Sequence, residues 1–174
     1  GEKTLKPNWI EKGTLTVNPS GGTWSDGSTP ASSSAQVFTA DSGTTKTIPD
    51  PTENATYTVH YYANEQGASY DNTYVYLDRV FTSWTLTDNS TSTQSSTSTL
   101  ATPVNGSWDE NTKTYTFGTD KDTLTANYNA STSYSLQSIT KTGHTCKWAE
   151  GSASGTQYSG GTAMTITEDT DYYA

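Results

Sequence analysis

The chain has 174 residues and a formal net charge of −9, from 18 acidic and nine basic side chains, and Thr (36) with Ser (22) makes up a third of it. Hydrophobic residues supply 30% and charged residues 16%, both below the usual globular shares; five Trp, 12 Tyr and three Phe nevertheless exclude a disordered composition, which is poor in rings. No basic stripe is present to neutralise a phosphate backbone, which sets nucleic acid aside as a partner, and no run of 18 apolar residues spans a membrane, which sets insertion aside.

Residues 1–12 read as a leader or the end of a preceding unit, with Pro7 and Trp9 closing it. Residues 14–17 alternate polar and apolar side chains, the period of a half-buried strand. The run from Asn18 through Pro19, Ser20, Gly21 and Gly22 turns the chain. Residues 36–39 give a second short strand, and 40–54, with Gly43, Pro49 and Pro51, an irregular stretch. Residues 57–62 form the next strand, with Tyr57, Val59 and Tyr61 on one face and His60 on the opposite, solvent face. Residues 74–81 are the strongest apolar run and lead through Thr82 and Ser83 to Trp84, Thr85 and Leu86. Residues 90–99 are nearly all Ser and Thr and have little to bury, so they read as a loop.

Order returns at Trp108. Residues 111–113 turn into a strand over 114–117, and 118–122 turn into another over 124–128. A break follows near 128–133. The last third gives strands over 134–139, 144–148 and 163–167, ending on Tyr172 and Tyr173. Helix signal is absent: residues 64–74 do not assemble two amphipathic turns. The fold class is mainly β, with Tyr, Trp and Thr suiting thin strands that bury one face each.

Candidate chemistry is sparse. Paired carboxylates or a nucleophile with a base and an orienting group would mark a hydrolase, but Asp26, Asp50, Asp88, Asp109, Asp120, Asp122, Asp169 and Asp171 are scattered and read as turn residues. His60 and His144 are far apart and, with one cysteine, make no zinc spacing; His144 reads as a partly buried packing residue. Cys146 cannot form an internal disulfide and reads as a small buried hydrophobe. Calcium is compatible with Asp- and Asn-rich turns, but no EF-hand loop occurs. Asn54, Asn89, Asn105 and Asn129 head sequons that the Ser/Thr content produces by composition alone. Nor does any Lys–Asn isopeptide or Thr–Gln ester signature stand out. The expectation is therefore no catalytic, cofactor-binding or metal residues, no cofactor, and no enzyme activity.

Several segments recur in order. Tyr134-Ser135-Leu136, the run from Ile139 through Thr142-Gly143-His144-Thr145-Cys146-Lys147 to Trp148, Gly155-Thr156-Gln157-Tyr158, Gly160-Gly161 and Asp171-Tyr172-Tyr173-Ala174 resemble the Listeria–Bacteroides repeat, which is related to the internalin B-repeat of bacterial surface proteins. That pattern runs through Thr-Gly-Tyr-Thr-Phe-x-x-Trp and a Gly-Thr hairpin to a closing Leu-Tyr-Ala-x-Trp. Residues 15–24 are similar to its opening strand and turn, 46–52 to its lead, 79–84 to the core motif ending at Trp84, and 115–118 with 124–128 to its closing hairpin and strand. His144 stands in place of Tyr, Cys146 of Phe, and Lys147 of a small residue.

The resemblance implies tandem small β-grasp-like units, the first expanded by an insertion, divided as 1–12, 13–128 and 129–174. Whether residues 55–128 are one expanded unit or two intertwined ones stays open. The second unit stops just short of its final Trp, which with the start at Gly1 reads as excision from a longer array. Trp84 and Trp148 hold equivalent motif positions and are the expected core anchors. The resemblance also implies an extracellular, cell-surface or cell-wall location and a role as spacer or adhesin. Its partners would be a host or cell-surface protein or glycan and neighbouring repeats. An alternative is a carbohydrate-binding module using Trp9, Trp24, Trp108 and Tyr platforms; a third possibility is strand addition at an open sheet edge.

Overall fold

The computed structural model describes residue 3 and residues 10–63, 72–89 and 104–174. All their regular structure is β-strand, in four sheets of mixed topology. The chain divides into two compact units, each built from two separate stretches: unit 1 is Gly1–Glu53 with Thr82–Asn127, and unit 2 is Asn54–Phe81 with Tyr128–Ala174.

In unit 1 the main sheet has the order β2-β1-β9-β6, from β1 (Lys12–Asn18), β2 (Gln36–Asp41), β6 (Phe81–Asp88) and β9 (Lys121–Tyr128). The alternation of β1 puts Leu15 and Val17 inside and Thr14 and Thr16 on the other face. After it, Ser20 and Gly21 take positive φ (50° and 96°) and the Gly22 amide donates to the Pro19 carbonyl, 3.1 Å, closing the expected turn. β1 and β2 are antiparallel, with Leu15 opposite Phe38. β1 and β9 are parallel, with Val17 opposite Leu124. Hydrogen bonds from Thr82 to Asn127 and from Asn89 to Lys121 show that β6 runs antiparallel to β9. A second sheet, order β3-β8-β7, joins β3 (Thr45–Thr47), β8 (Thr114–Thr116) and β7 (Ser107–Asp109).

The buried residues of unit 1 include Leu15, Val17, Trp24, Ile48, Trp84, Tyr115, Phe117, Leu124 and Ala126. Trp24 meets Phe38 at 6.0 Å and Trp84 at 6.4 Å, both edge to face, the geometry that brings a ring's positive edge to its neighbour's negative face. Its indole N–H donates to the Pro49 carbonyl, 2.9 Å, so a ring this deep leaves no polar atom unpaired. Beside it, Asp26 accepts from the amides and hydroxyls of Ser28 and Thr29 and from Lys46 at 2.6 Å.

In unit 2 the main sheet has the order β12-β11-β14-β4-β5, from β4 (Ala55–Tyr62), β5 (Thr73–Arg79), β11 (Trp148–Glu150), β12 (Gln157–Tyr158) and β14 (Thr170–Tyr173). β10 (Thr132–Ser135) and β13 (Ala163–Ile166) form a separate antiparallel pair. Val59, Tyr61, Leu77, Leu136, Ile139, Trp148, Ile166 and Tyr172 make one apolar cluster. Trp148 lies 4.5 Å from Tyr61, whose other neighbour is Tyr172 at 5.8 Å. The Trp148 indole donates to the Gln137 carbonyl, 2.7 Å, and the Tyr61 hydroxyl accepts from the Gln137 amide, 3.0 Å. These two bonds fix the backbone of residue 137 against the rings.

The two units share the order of four strands in the main sheet and differ in one further strand: β12 extends the sheet beside β11, whereas β7 joins β8 in the second sheet. In each, the first strand lies parallel beside the last (β1 with β9, β4 with β14) and carries its hairpin mate on its other side (β2, β5). The last strand is flanked by an antiparallel strand bearing a buried Trp, Trp84 in β6 and Trp148 in β11. The third strand of each unit pairs with the penultimate one, β3 with β8 and β10 with β13.

Most expected strands are present, with differences at their ends. A three-residue strand, β3, lies inside the stretch read as irregular. Residues 74–88 split into two strands at Val80, while 136–139 and 144–147 are not strand. The compact units also cut the chain differently from the linear division 13–128 and 129–174. Residues 54–81 assemble with 128–174, because β4 pairs with β14 rather than with any strand of unit 1. The loop expected over 90–99, and the features read at Pro7 and Trp9, lie outside the described residues.

Candidate functional site

The outward face of unit 2's main sheet carries rings where an exposed sheet face ordinarily carries Thr, Ser or Lys. Alternation along β4 sends Val59 and Tyr61 inward, and His60 and Tyr62 outward. Register then assembles the row: Tyr74 lies opposite His60 and Tyr76 opposite Thr58 across β5, while Asp171 lies opposite His60 and Tyr173 opposite Tyr62 across β14. Tyr173 and Tyr62 stack at 4.6 Å and 6°, Tyr62 meets His60 at 3.7 Å and 53°, and His60 stacks on Tyr74 at 3.9 Å and 12°.

Rings this close spend their faces on one another and turn edges and hydroxyls outward. Face area stays free at the β5 end, the sheet edge, where Tyr74 is 57% and Tyr76 66% exposed. Asp171 Oδ1 stands 3.7 Å from His60 Nδ1. The Tyr62 hydroxyl is pushed above its ordinary pKa by desolvation first, then by the charge of Asp171. No hydroxyl or thiol among the described residues hydrogen-bonds to His60.

His60 was expected in solvent and is only 9% exposed. Alternation gave its face correctly, but the flanking rings of Tyr62 and Tyr74 cover it. His144 reverses the other way: expected partly buried, it is exposed, and its Nδ1 lies 3.0 Å from the Thr142 carbonyl. Cys146, expected buried, is partly exposed at the edge of the unit 2 core. It lines an open depression of about 560 Å³ with Ile139, His144 and Gln157, and no hydrogen bond joins it to His144. Trp24, weighed as a sugar platform, is fully buried, and Trp108 is half-buried with its indole donating to Glu110 at 2.7 Å. Trp84 and Trp148 are buried as expected.

The aspartates also separate. Asp109 heads a turn, accepting from the Asn111 amide at 2.9 Å, and these bonds lower its pKa. Asp50 pairs with Lys113 at 3.0 Å, and Asp169 accepts from the Thr58 amide at 2.7 Å. Asp122 departs from the turn reading, lying inside β9, and although Asp120 stays in the turn before that strand, both are buried, at 1% and 8% exposed. Asp122 begins the inward series Asp122, Leu124, Ala126 of β9, a period-2 signal present in the sequence. With Asp88, at the end of β6, they place one carboxylate oxygen each within 4.8 Å of the others. Asp122 Oδ2 accepts from the Tyr115 hydroxyl at 2.5 Å and the Gly106 amide at 3.1 Å. Burial, then the charges of Asp122 and Asp88, pushes the Asp120 carboxyl up, and burial with the bond to Asp122 pushes the Tyr115 hydroxyl up.

No helix among the described residues is long and apolar enough to cross a membrane. The chain matches no family model, no curated protein and no solved structure.

Proposed function

We propose that this chain is an extracellular spacer and adhesive segment of a bacterial surface protein, and that its contact surface is the aromatic face of unit 2. The observation that carries the reading is the row Tyr173, Tyr62, His60, Tyr74 with Tyr76 beside it. A sheet face with no need of rings for its own core presents five, two of them more than half exposed. Rigid rings lose little conformational entropy on contact and offer apolar area beside hydroxyls, the character of protein-binding surfaces. The Ser/Thr-rich acidic surface suits a segment held outside a cell. Two interleaved units that each set their first strand parallel beside their last give the chain an internal repetition, which supports a repeat-built segment.

A second reading, a carbohydrate-binding module, is favoured by one observation alone: the Tyr74 and Tyr76 rings keep free faces at the sheet edge. The stacking of the other rings favours protein contact, because a sugar needs a face to lie on. The test is binding of the full chain to cells, matrix proteins and a glycan array, beside a Tyr74→Ala/Tyr76→Ala variant with an unchanged circular dichroism spectrum. Saturable binding to a protein or cell surface, weakened at least tenfold by the double substitution, is the expected result. Saturable glycan binding with the same sensitivity moves the assignment to a carbohydrate module. Binding that ignores the substitution removes this face from the function.

A further inference from the structure

We propose that Asp88, Asp120 and Asp122 form a calcium-binding site in unit 1, independent of the aromatic face. The three come from different local settings, the end of β6, the turn before β9 and the first inward position of β9, yet converge to within 4.8 Å. Crowding of acidic groups alone would mean little on a chain with 18 of them. What points to a ligand is how the buried pair is left. Asp120 and Asp122 are more than nine-tenths buried, neither has an ion-pair partner among the described residues, and neither oxygen of Asp120 nor the Oδ1 of Asp122 has a well-formed hydrogen bond, the Gly106 and Asp120 amides lending Asp120 only weak support.

Such groups are rare in folded proteins, because a desolvated carboxylate without a donor or counter-charge is costly. β9 otherwise fills its inward positions with Leu124 and Ala126, so an apolar residue at 122 would fit the pattern at no such cost. A cation at the point of convergence supplies the missing counter-charge to both buried carboxylates, taking one oxygen from each and one from Asp88. The remaining oxygen, Asp122 Oδ2, is held by Tyr115 and the Gly106 amide, which orients the carboxylate in the manner of outer-shell bonds around metal ligands.

The donor set selects the ion. It is all hard oxygen, without His or Cys, which fits Ca²⁺ or Mg²⁺ rather than zinc or copper. Oxygens on opposite sides of an ion stand at most twice the metal–oxygen distance apart, about 5 Å for Ca²⁺ and about 4.2 Å for Mg²⁺. The three oxygens lie within 4.8 Å of one another, inside the span that Ca²⁺ bridges, and an irregular set of three carboxylates suits the flexible shell of Ca²⁺ better than the near-ideal octahedron that Mg²⁺ demands. Three carboxylates against two positive charges leave a net −1, and water or backbone carbonyls complete the shell.

The experiment uses the full 174-residue chain after chelator treatment, titrated with CaCl2 by calorimetry and melted with and without the ion. One saturable site is expected, in the affinity range of extracellular calcium modules, with 10 mM CaCl2 raising the folded-to-unfolded ratio about 10- to 100-fold. MgCl2 at equal concentration should give less than a third of that shift. Asp120→Asn, which keeps the shape and removes the charge, should abolish the response, while Asp109→Asn, outside the cluster, should leave it intact. Should Asp120→Asn fail to fold, Tb³⁺ luminescence excited through tyrosine in the unaltered chain, displaced by CaCl2, reports the same site. Absence of saturable heat, melting shift and terbium signal would overturn the proposal, as would equal responses to the two ions or a full response in Asp120→Asn.

Discussion

Units 1 and 2 share the order of four main-sheet strands and differ in almost everything placed on it. Unit 1 fills its core with an edge-to-face Trp24–Trp84 pair and aliphatic side chains from β1 and β9, and keeps buried carboxylates at one end of β9. Unit 2 fills its core with Tyr61, Trp148 and Tyr172, and then lays a second set of rings on the outer face of the same sheet. The difference teaches that the order of pairing rests on backbone hydrogen bonds and alternation, while the filling is open to large substitution, as cores of preserved volume generally are. It also locates the specialised features: an unsatisfied acidic site in one unit, an exposed aromatic face in the other.

The largest test of that parallel is truncation of the equivalent tryptophans. Trp148→Ala and Trp84→Ala should each cost about 4 kcal/mol in urea denaturation. Trp148→Ala also leaves the Gln137 carbonyl without its indole donor. A cost below about 1 kcal/mol for either would break the equivalence of β6 and β11.

Next comes Asp26, whose bond to Lys46, supported by the Ser28 and Thr29 donors, holds its carboxyl well below the usual range. Asp26→Asn should cost about 3 kcal/mol at neutral pH, since it leaves the half-buried Lys46 ammonium unpaired. Folding lowers this pKa, so its contribution is complete above the unfolded value of about pH 4 and is lost as the pH falls below it. Stability curves of the two proteins should therefore converge in acid. A gap that stays constant down to about pH 2 would contradict the ion pair. Steric tests are smaller: a Cβ at Gly118 would strike the Val104 carbonyl, and one at Gly160 would meet Ser138 Cα at 2.8 Å. Gly118→Ala and Gly160→Ala should each cost about 2 kcal/mol. Smallest of all, Tyr76→Ala should change stability by less than about 0.5 kcal/mol, because its ring faces water.

The sequence was readable where the signal is local. Alternation located β1 and β9, the Pro19–Gly22 turn followed from its residues, and the spacing of motif tryptophans marked Trp84 and Trp148 as buried. Pairing across long separations was not readable. Nothing near residues 54–81 states that β4 will lie beside a strand more than 100 residues later, so the linear division could not anticipate the two assemblies. His60 shows the same gap at one side chain: period 2 gave its face, but its burial depends on Tyr74, a neighbour by register alone. Cys146 was misjudged, and Trp24 could be weighed only as a platform in the alternative reading, because ring and thiol types do not reveal depth. Asp122 was legible and missed, since its inward phase with Leu124 and Ala126 is written in the residues themselves.

The backbone passes between the two units three times, after residues 53, 81 and 127. A chain that emerges from a ribosome or an export channel starting at its N-terminus therefore completes neither unit early. β1 waits for β9 before its parallel neighbour exists, and by then β4 and β5 have long been outside with their own centre strand, β14, still to come. The hairpin of β4 and β5 spends that interval with an open edge and exposed rings, the state most prone to pairing with other chains. Threading one unit through the sequence of the other thus makes timely completion of the final 47 residues, 128–174, a condition of safe folding. A protein cut short anywhere before β14 loses unit 2's central parallel pair as well as its last strand.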